Sequence, residues 1–275
     1  MDLKPKKLAV LIDADNSSVN SIESVLEEVA KYGIASVKRV YGDWSSDTLK
    51  KWRDVLLPHA ITPVQQFAYT KGKDATDMIL IIDAMDLLYS GALDGFCIVS
   101  SDSDFTPLAS RIRESGLIVY GFGRSKTPEA FIRACDKFIY VENLVDEQER
   151  VGSNTEASLE TSDLIVRQNN KQNNIQKEEV IPTGIITNSD EKRDVSVIDR
   201  ATLNLIYKAV KDNTEDNGWA NLSIVGQYIT AVKPDFDSRN YGRAKLSGLI
   251  KMLNLFETKI EDSQMYLKKK KKTGT

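Results

Sequence analysis

Residues 95–123 read GFCIVSSDSDFTPLASRIRESGLIVYGFG, and this stretch decides the fold. GFCIVS is a short apolar run with the character of a buried strand, TPLASRIRESG reads as a helix, and LIVYGFG returns as a second strand. A strand, a helix and a strand in that order predict a parallel pair joined by a helical crossover. The first of these strands runs straight into Asp102 and Asp104, with no basic residue between them. Two carboxylates that close repel each other unless a cation or a shared proton relieves the charge.

The same alternation extends to both sides. KLAVLID (7–13) is predicted as the first strand, and Ile22, Leu26 and Val29 recur at helical spacing until Gly33. ASVKRVYG (35–42) follows as a strand, DTLKKWRDVLL (47–57) as a helix and TPVQQF (62–67) as a strand. ATDMILIIDAMDLLYSG (75–91) is too long an apolar run for a strand and reads as a helix. PEAFIRAC (128–135) and FIYVE (138–142) close the series as helix and strand. The expected architecture is α/β: a mainly parallel sheet with helices on both faces.

From residue 146 to 197 the pattern stops. QNNKQNNIQKEE (168–179) is polar, low in complexity and without aromatic residues, so a flexible linker is expected. Helical periodicity resumes at Leu203, Ile206 and Val210, and a run of short helices ends in two strand-like pieces. Three helices followed by a β-hairpin predict a small winged-helix-like domain over 198–268, with a basic tail at 269–275. The net charge of −3 conceals an asymmetry: residues 200–275 carry 14 Lys and Arg against 8 Asp and Glu. The basic end is therefore the expected partner of an anion.

The composition also excludes chemistries. With one histidine, His59, beside Pro58, and two cysteines, Cys97 and Cys135, outside any metal-ligand spacing, neither a zinc site nor a histidine dyad is expected. No apolar run reaches the length of a membrane span, and Leu8–Ile12 is too short for a signal peptide. The reading is a cytoplasmic protein with no membrane contact, working with carboxylates. Trp44 and Trp52 flank a predicted helix and are expected in the core.

In open parallel sheets, sites form beyond the carboxyl ends of the strands. Asp13 ends the first strand, with Asp15 and Asn16 just past it, and Asp102 and Asp104 follow the fourth, beside Ser101. Asp77, with Asp74 one turn earlier, lies near the start of the long helix. If the first and fourth strands are neighbours, these acids face one crevice. A hard divalent cation, Mg²⁺ or Mn²⁺, is the expected relief of their charge, because it prefers oxygen ligands. Alternatively, each aspartate caps the helix that follows it.

VLIDADN, KGKDATDMILIIDAMDLL and CIVSSDSDFTPLASRIRESGLIVYGFG, in this order, resemble the NYN-domain family of the LabA-like type, within the PIN-like nuclease superfamily. The resemblance covers residues 7–145. It implies a metal-dependent ribonuclease fold with Asp13, Asp77, Asp102 and Asp104 as the acidic set and Asn16 hydrogen-bonding nearby. GWANLSIVGQYI, PDFDSRNYGRAKLSGLI and LFE resemble the OST-HTH (LOTUS) domain over 198–268, which implies RNA binding and, in some proteins, protein partners.

Lys71, Lys73, Arg124 and Lys126 are candidates to hold phosphates beside the acids, and the expected RNA is single-stranded. Arg239, Arg243 and Lys245 are expected near the start of one helix as phosphate contacts, with Tyr241 as a stacking face. Two rivals stand beside the ribonuclease. One is a haloacid-dehalogenase-type phosphatase, whose D-x-D strand end DAD imitates, although Ser17 occupies a position that chemistry usually gives to Thr or Val. The other is an RNA-binding adaptor without turnover.

Overall fold

A computed structural model describes residues 4–66, 75–144 and 198–270. The expected linker at 146–197, the end of the basic tail, and Lys71, Lys73 and Asp74 lie outside the described residues.

Six parallel strands form the first sheet: β1 (Lys7–Asp13), β2 (Ile34–Gly42), β3 (Thr62–Gln65), β4 (Gly95–Val99), β5 (Ile118–Gly123) and β6 (Lys137–Tyr140). Their order is β3-β2-β1-β4-β5-β6, so the chain reverses direction across the sheet between β1 and β4. Side chains alternate along β1. Ala9 and Leu11 enter one apolar cluster, while Leu8, Val10 and Ile12 enter another on the opposite face. The first cluster is covered by α3 (Ala75–Tyr89), α4 (Thr106–Glu114) and α5 (Glu129–Ala134), through Leu80, Leu108, Ile112 and Phe131. The second is covered by α1 (Ile22–Ala30) through Ile22, Val25 and Val29, with Leu49 and Trp52 beside them. Burial on both faces is why β4 is apolar at every position rather than alternating. Trp52 is in the core as expected, and Trp44 packs at its margin with its indole N–H on the Val64 carbonyl, 2.9 Å away.

Two sequence expectations need adjustment. DTLKKWRDVLL is not one helix: Asp47–Trp52 is a 3₁₀ turn, capped by Ser46, that runs into the short helix α2 (Arg53–Leu56). Within the described part of TPVQQF, which ends at Gln66, the strand covers Thr62–Gln65 at the sheet edge, where Pro63 withholds no ladder bond from a further strand.

The C-terminal domain has α6 (Arg200–Asp212), β7 (Ala220–Asn221), α7 (Leu222–Val232), α8 (Leu246–Leu253), β8 (Phe256–Glu261) and β9 (Gln264–Lys269). The strands form an antiparallel sheet of order β7-β9-β8, and the helices close over a separate core of Ile206, Val225, Ile229, Leu249, Phe256 and Leu267. Three helices and a hairpin are therefore present as expected.

This domain docks against the first one. The Phe138 amide of edge strand β6 donates to the Pro234 carbonyl (2.9 Å), the Tyr140 hydroxyl to Asp235 (2.8 Å), and Asn143 to Asn240 (2.6 Å). Arg239 reaches across to Glu28 with two bonds of 3.1 and 3.2 Å and is also held by Asp237 at 2.7 Å. A partner for the basic end is thus an acid of the chain's own first domain. One edge of the sheet is covered in the process.

Candidate functional site

The switch point between β1 and β4 opens a crevice at the carboxyl ends of the strands, where a parallel sheet places its sites. Asp13, the last residue of β1, is fully buried there. Its Oδ1 accepts the backbone N–H groups of Asp15 (3.1 Å) and Asn16 (3.3 Å). Its Oδ2 accepts the Asn16 side-chain amide (2.8 Å) and the Ser100 hydroxyl (2.7 Å). Ser100, itself buried, accepts the Asp102 N–H at 3.1 Å, so one hydroxyl ties the end of β1 to the loop after β4. Ser17 adds a second tie, donating to the Val99 carbonyl at 2.9 Å.

Asp102 also caps the turn Ser103–Phe105 by accepting the Asp104 N–H at 2.9 Å, which is the capping role weighed for it from sequence. Asp104 is exposed, and its carboxylate accepts no hydrogen bond from the described residues. Asp77 is half-buried in the first turn of α3. Its neighbour Thr76 hydrogen-bonds the Asp15 carboxylate, which brings that turn to the crevice. Farther along α3, Asp83 bonds Arg39 and Tyr41 of β2 and anchors the helix.

Two acids stand out that the motif reading left outside the acidic set. The Asp15 carboxyl is raised above the ordinary carboxylate range, first because its charged form loses water, then because Asp13 and Asp43 add like charge; the Thr76 bond opposes this. Asp43 follows β2 at the same edge and holds Ser45 and Gln65. The sequence signal was available, since Asp15 completes the DAD strand end and Asp43 follows the second strand.

Hard oxygen donors with mutually unfavourable charge suit Mg²⁺ or Mn²⁺, and in this sense the residues fit a divalent ion. Among the described residues, no group of three or more Asp, Glu, His or Cys side chains converges closely enough to enclose one.

Of the candidate phosphate contacts, Arg124 reaches the site. It lines a small cavity of about 20 Å³ with Asn16, Ser100 and Ser101, and its amide donates to the Ser101 hydroxyl at 2.9 Å. Lys126 is exposed on the same loop. The basic set of the second domain is divided between a turn and the start of a helix, although Arg239 and Lys245 line one cavity. Arg239 and Tyr241 belong to a 3₁₀ turn ending at Gly242, whose φ is +69°, and only Lys245 caps α8. Arg239 is 12% exposed in its ion pairs, so it is not open to a phosphate. Sequence spacing could not show this, because its partner Glu28 lies in the other domain. The Tyr241 hydroxyl is shared with Thr202 (3.1 Å) and its ring packs against the core, whereas Arg243 is exposed.

Both thiols are free and buried, and burial pushes each thiol up, away from the reactive thiolate. No helix of the described residues is long and apolar enough to cross a membrane.

Comparison with known proteins adds the following. Residues 7–142 match the NYN domain and residues 195–266 match the OST-HTH/LOTUS domain. No curated protein matches the chain. Among solved structures, a protein of unknown function from Vibrio parahaemolyticus is 18% identical, covering 50% of this chain and 94% of its own, with a TM-score of 0.42. An uncharacterized protein from Nitrosomonas europaea is 28% identical over 34% of this chain and 93% of its own, with a TM-score of 0.27.

Proposed function

Because the chain carries an NYN domain followed by an OST-HTH/LOTUS domain, we propose that it is a divalent-metal-dependent ribonuclease of the LabA-like type, acting in the cytoplasm on single-stranded RNA. The observation that carries the reading is the gathering of aspartates at the switch point, where Asp13 ends β1 beside β4 and is joined through Ser100 to the loop of Asp102. Bound Mg²⁺ or Mn²⁺ would supply activation of water and stabilisation of the leaving oxyanion of a phosphodiester.

In this proposal Asp13, Asp102 and Asp104 hold the ion, with Asp77 and Asp15 at the margin of the site. The Asn16 side chain and Ser100 hold Oδ2 of Asp13, and the Asp15 and Asn16 amides hold Oδ1, so the carboxylate is fixed in orientation before any ligand arrives. Ser101 holds the loop that carries Arg124, whose guanidinium is available to a phosphate of the RNA. The LOTUS domain contributes RNA affinity and a surface for protein partners.

The test is cleavage of labelled RNAs and DNAs with Mg²⁺ or Mn²⁺ by wild type, Asp13→Asn and Asp102→Asn, each checked by thermal melting. Loss of cleavage on the order of 10²-fold or more in folded variants supports the assignment. Unchanged cleavage in both variants refutes it.

A second reading is favoured by the four hydrogen bonds that already occupy both oxygens of the buried Asp13. It is an RNA-binding adaptor that retains the nuclease fold. Binding of RNA without cleavage under any metal decides for it.

A further inference from the structure

Where the two domains meet, on the side of α1 and β6, lies a cavity of about 470 Å³ that the switch-point acids do not line. It is at the other end of the sheet. Lys137 opens β6 and Tyr32 precedes β2, whereas Asp13 closes β1, and the seven residues of β1 span roughly 20 Å.

Cations from both domains line it: Lys31 and Lys137 from the first, Arg239 and Lys245 from the second. Two of the four are already satisfied. Lys31 bonds Glu28 at 2.7 Å, and Arg239 is held by Glu28 and Asp237. Lys137 is different. Its ammonium sits 4.9 Å from the centroid of the Tyr32 ring, which itself stacks on Tyr120 at 4.6 Å, and it makes no hydrogen bond or ion pair with the described residues. It is only half-exposed, so water does not fully replace the missing acceptor. Burial lowers its pKa, and the attraction of Asp237 and Glu28 does not offset this. Lys245 reaches the same cavity with an exposed side chain and no acid partner among the described residues, and the Thr230 hydroxyl on its wall is likewise without one.

We propose that this interdomain cavity is a binding site for a phosphate group, which Lys137 and Lys245 contact from opposite domains. The vacant donors fit a doubly or singly charged tetrahedral oxyanion, because it offers acceptors to several ammonium and hydroxyl groups at once. The volume accommodates a mononucleotide as well as one phosphate of a longer strand. A ligand contacted from both sides binds only the docked arrangement of the domains and stabilises it in proportion to occupancy. The site stands on its own geometry and does not require that the switch-point acids cut RNA.

The test is calorimetric titration of the full chain at low ionic strength with inorganic phosphate, with 5′-AMP, and with a single-stranded oligouridylate lacking terminal phosphates. Wild type is compared with Lys137→Met, Lys245→Ala and the remote surface variant Lys50→Ala. At least one probe is expected to bind, with affinity weakened tenfold or more in Lys137→Met and Lys245→Ala and unchanged in Lys50→Ala. Binding of phosphate and 5′-AMP identifies a small anion as the ligand, and binding of the oligouridylate alone identifies the nucleic-acid backbone. If no probe binds wild type, or if both cavity variants bind as wild type does, the proposal fails. Should Lys137→Met not fold, the exposed Lys245 carries the same comparison.

Discussion

Ser100 shows how much one hydroxyl can hold in this chain. Its hydrogen goes to Asp13 and its lone pair receives the Asp102 amide, so the acids from two strands share one small side chain. Ser100→Ala leaves both partners short by one bond in a buried place and is expected to cost about 1–3 kcal/mol in denaturant unfolding. Ser101→Ala loses only a bond to a loop amide at a half-buried position and is expected to cost less in the same measurement.

Glu28 is the second such residue. Burial alone would raise its carboxyl, but bonds from Arg239, Lys31 and Tyr32 outweigh burial and hold it at about 2. A depressed acid stabilises the folded state above its unfolded value, so this contribution is complete above about pH 4.5 and is lost as pH falls toward about 2. Thermal melts between pH 6 and pH 2 are expected to fall more steeply for wild type than for Glu28→Gln. Parallel curves would show that the ion pair does not form in solution.

The elements divide between those that follow from local pattern and those that depend on neighbours. The β4–α4–β5 unit was legible from its apolar run, helix and second strand because each piece obeys its own period. The segment 47–57 was not, because its apolar spacing is compatible with both a helix and the 3₁₀ turn that forms. At the end of β5, Gly123 is closely packed: a Cβ there would lie 2.7 Å from the Ser100 carbonyl and 2.8 Å from the Phe138 ring. Gly123→Ala is expected to cost about 1–3 kcal/mol by overpacking and to displace the loop that carries Asp102. Denaturant unfolding with parallel RNA cleavage assays checks both effects. Edge strand β6 makes a contact near its start that no local pattern encodes, with the Phe138 amide on the Pro234 carbonyl. Arg239→Met leaves Glu28 with fewer partners and is expected to weaken docking by about 3 kcal/mol. Hydrogen exchange of the Phe138 amide should then accelerate while the amides of β4 stay protected.

In the whole molecule, a body that is acidic overall and a basic C-terminal module meet through an ion pair, an edge-strand bond and two side-chain contacts. The charge asymmetry was visible in the sequence, yet it pointed only to an external anion, because residues 211 positions apart leave no periodic trace of their contact. The candidate site was legible to a similar depth. Asp13 and Asp102 announce themselves as acids ending buried strands, and the sheet order places those strands side by side. Asp15 and Asp43 follow strand ends in the sequence as well, whereas Ser100 enters only when the strand ends are brought together, since nothing local distinguishes it from other loop residues. By itself the sequence determined the α/β class, the two domains and the edge of the sheet that carries the acids, because these depend on hydrophobic period and strand–helix order. The tertiary structure alone decided which side chains fix Asp13, that Arg239 is spent on Glu28, and that Lys137 faces a cavity without an acceptor. Those outcomes depend on distances between residues far apart in the chain, which composition and spacing do not contain.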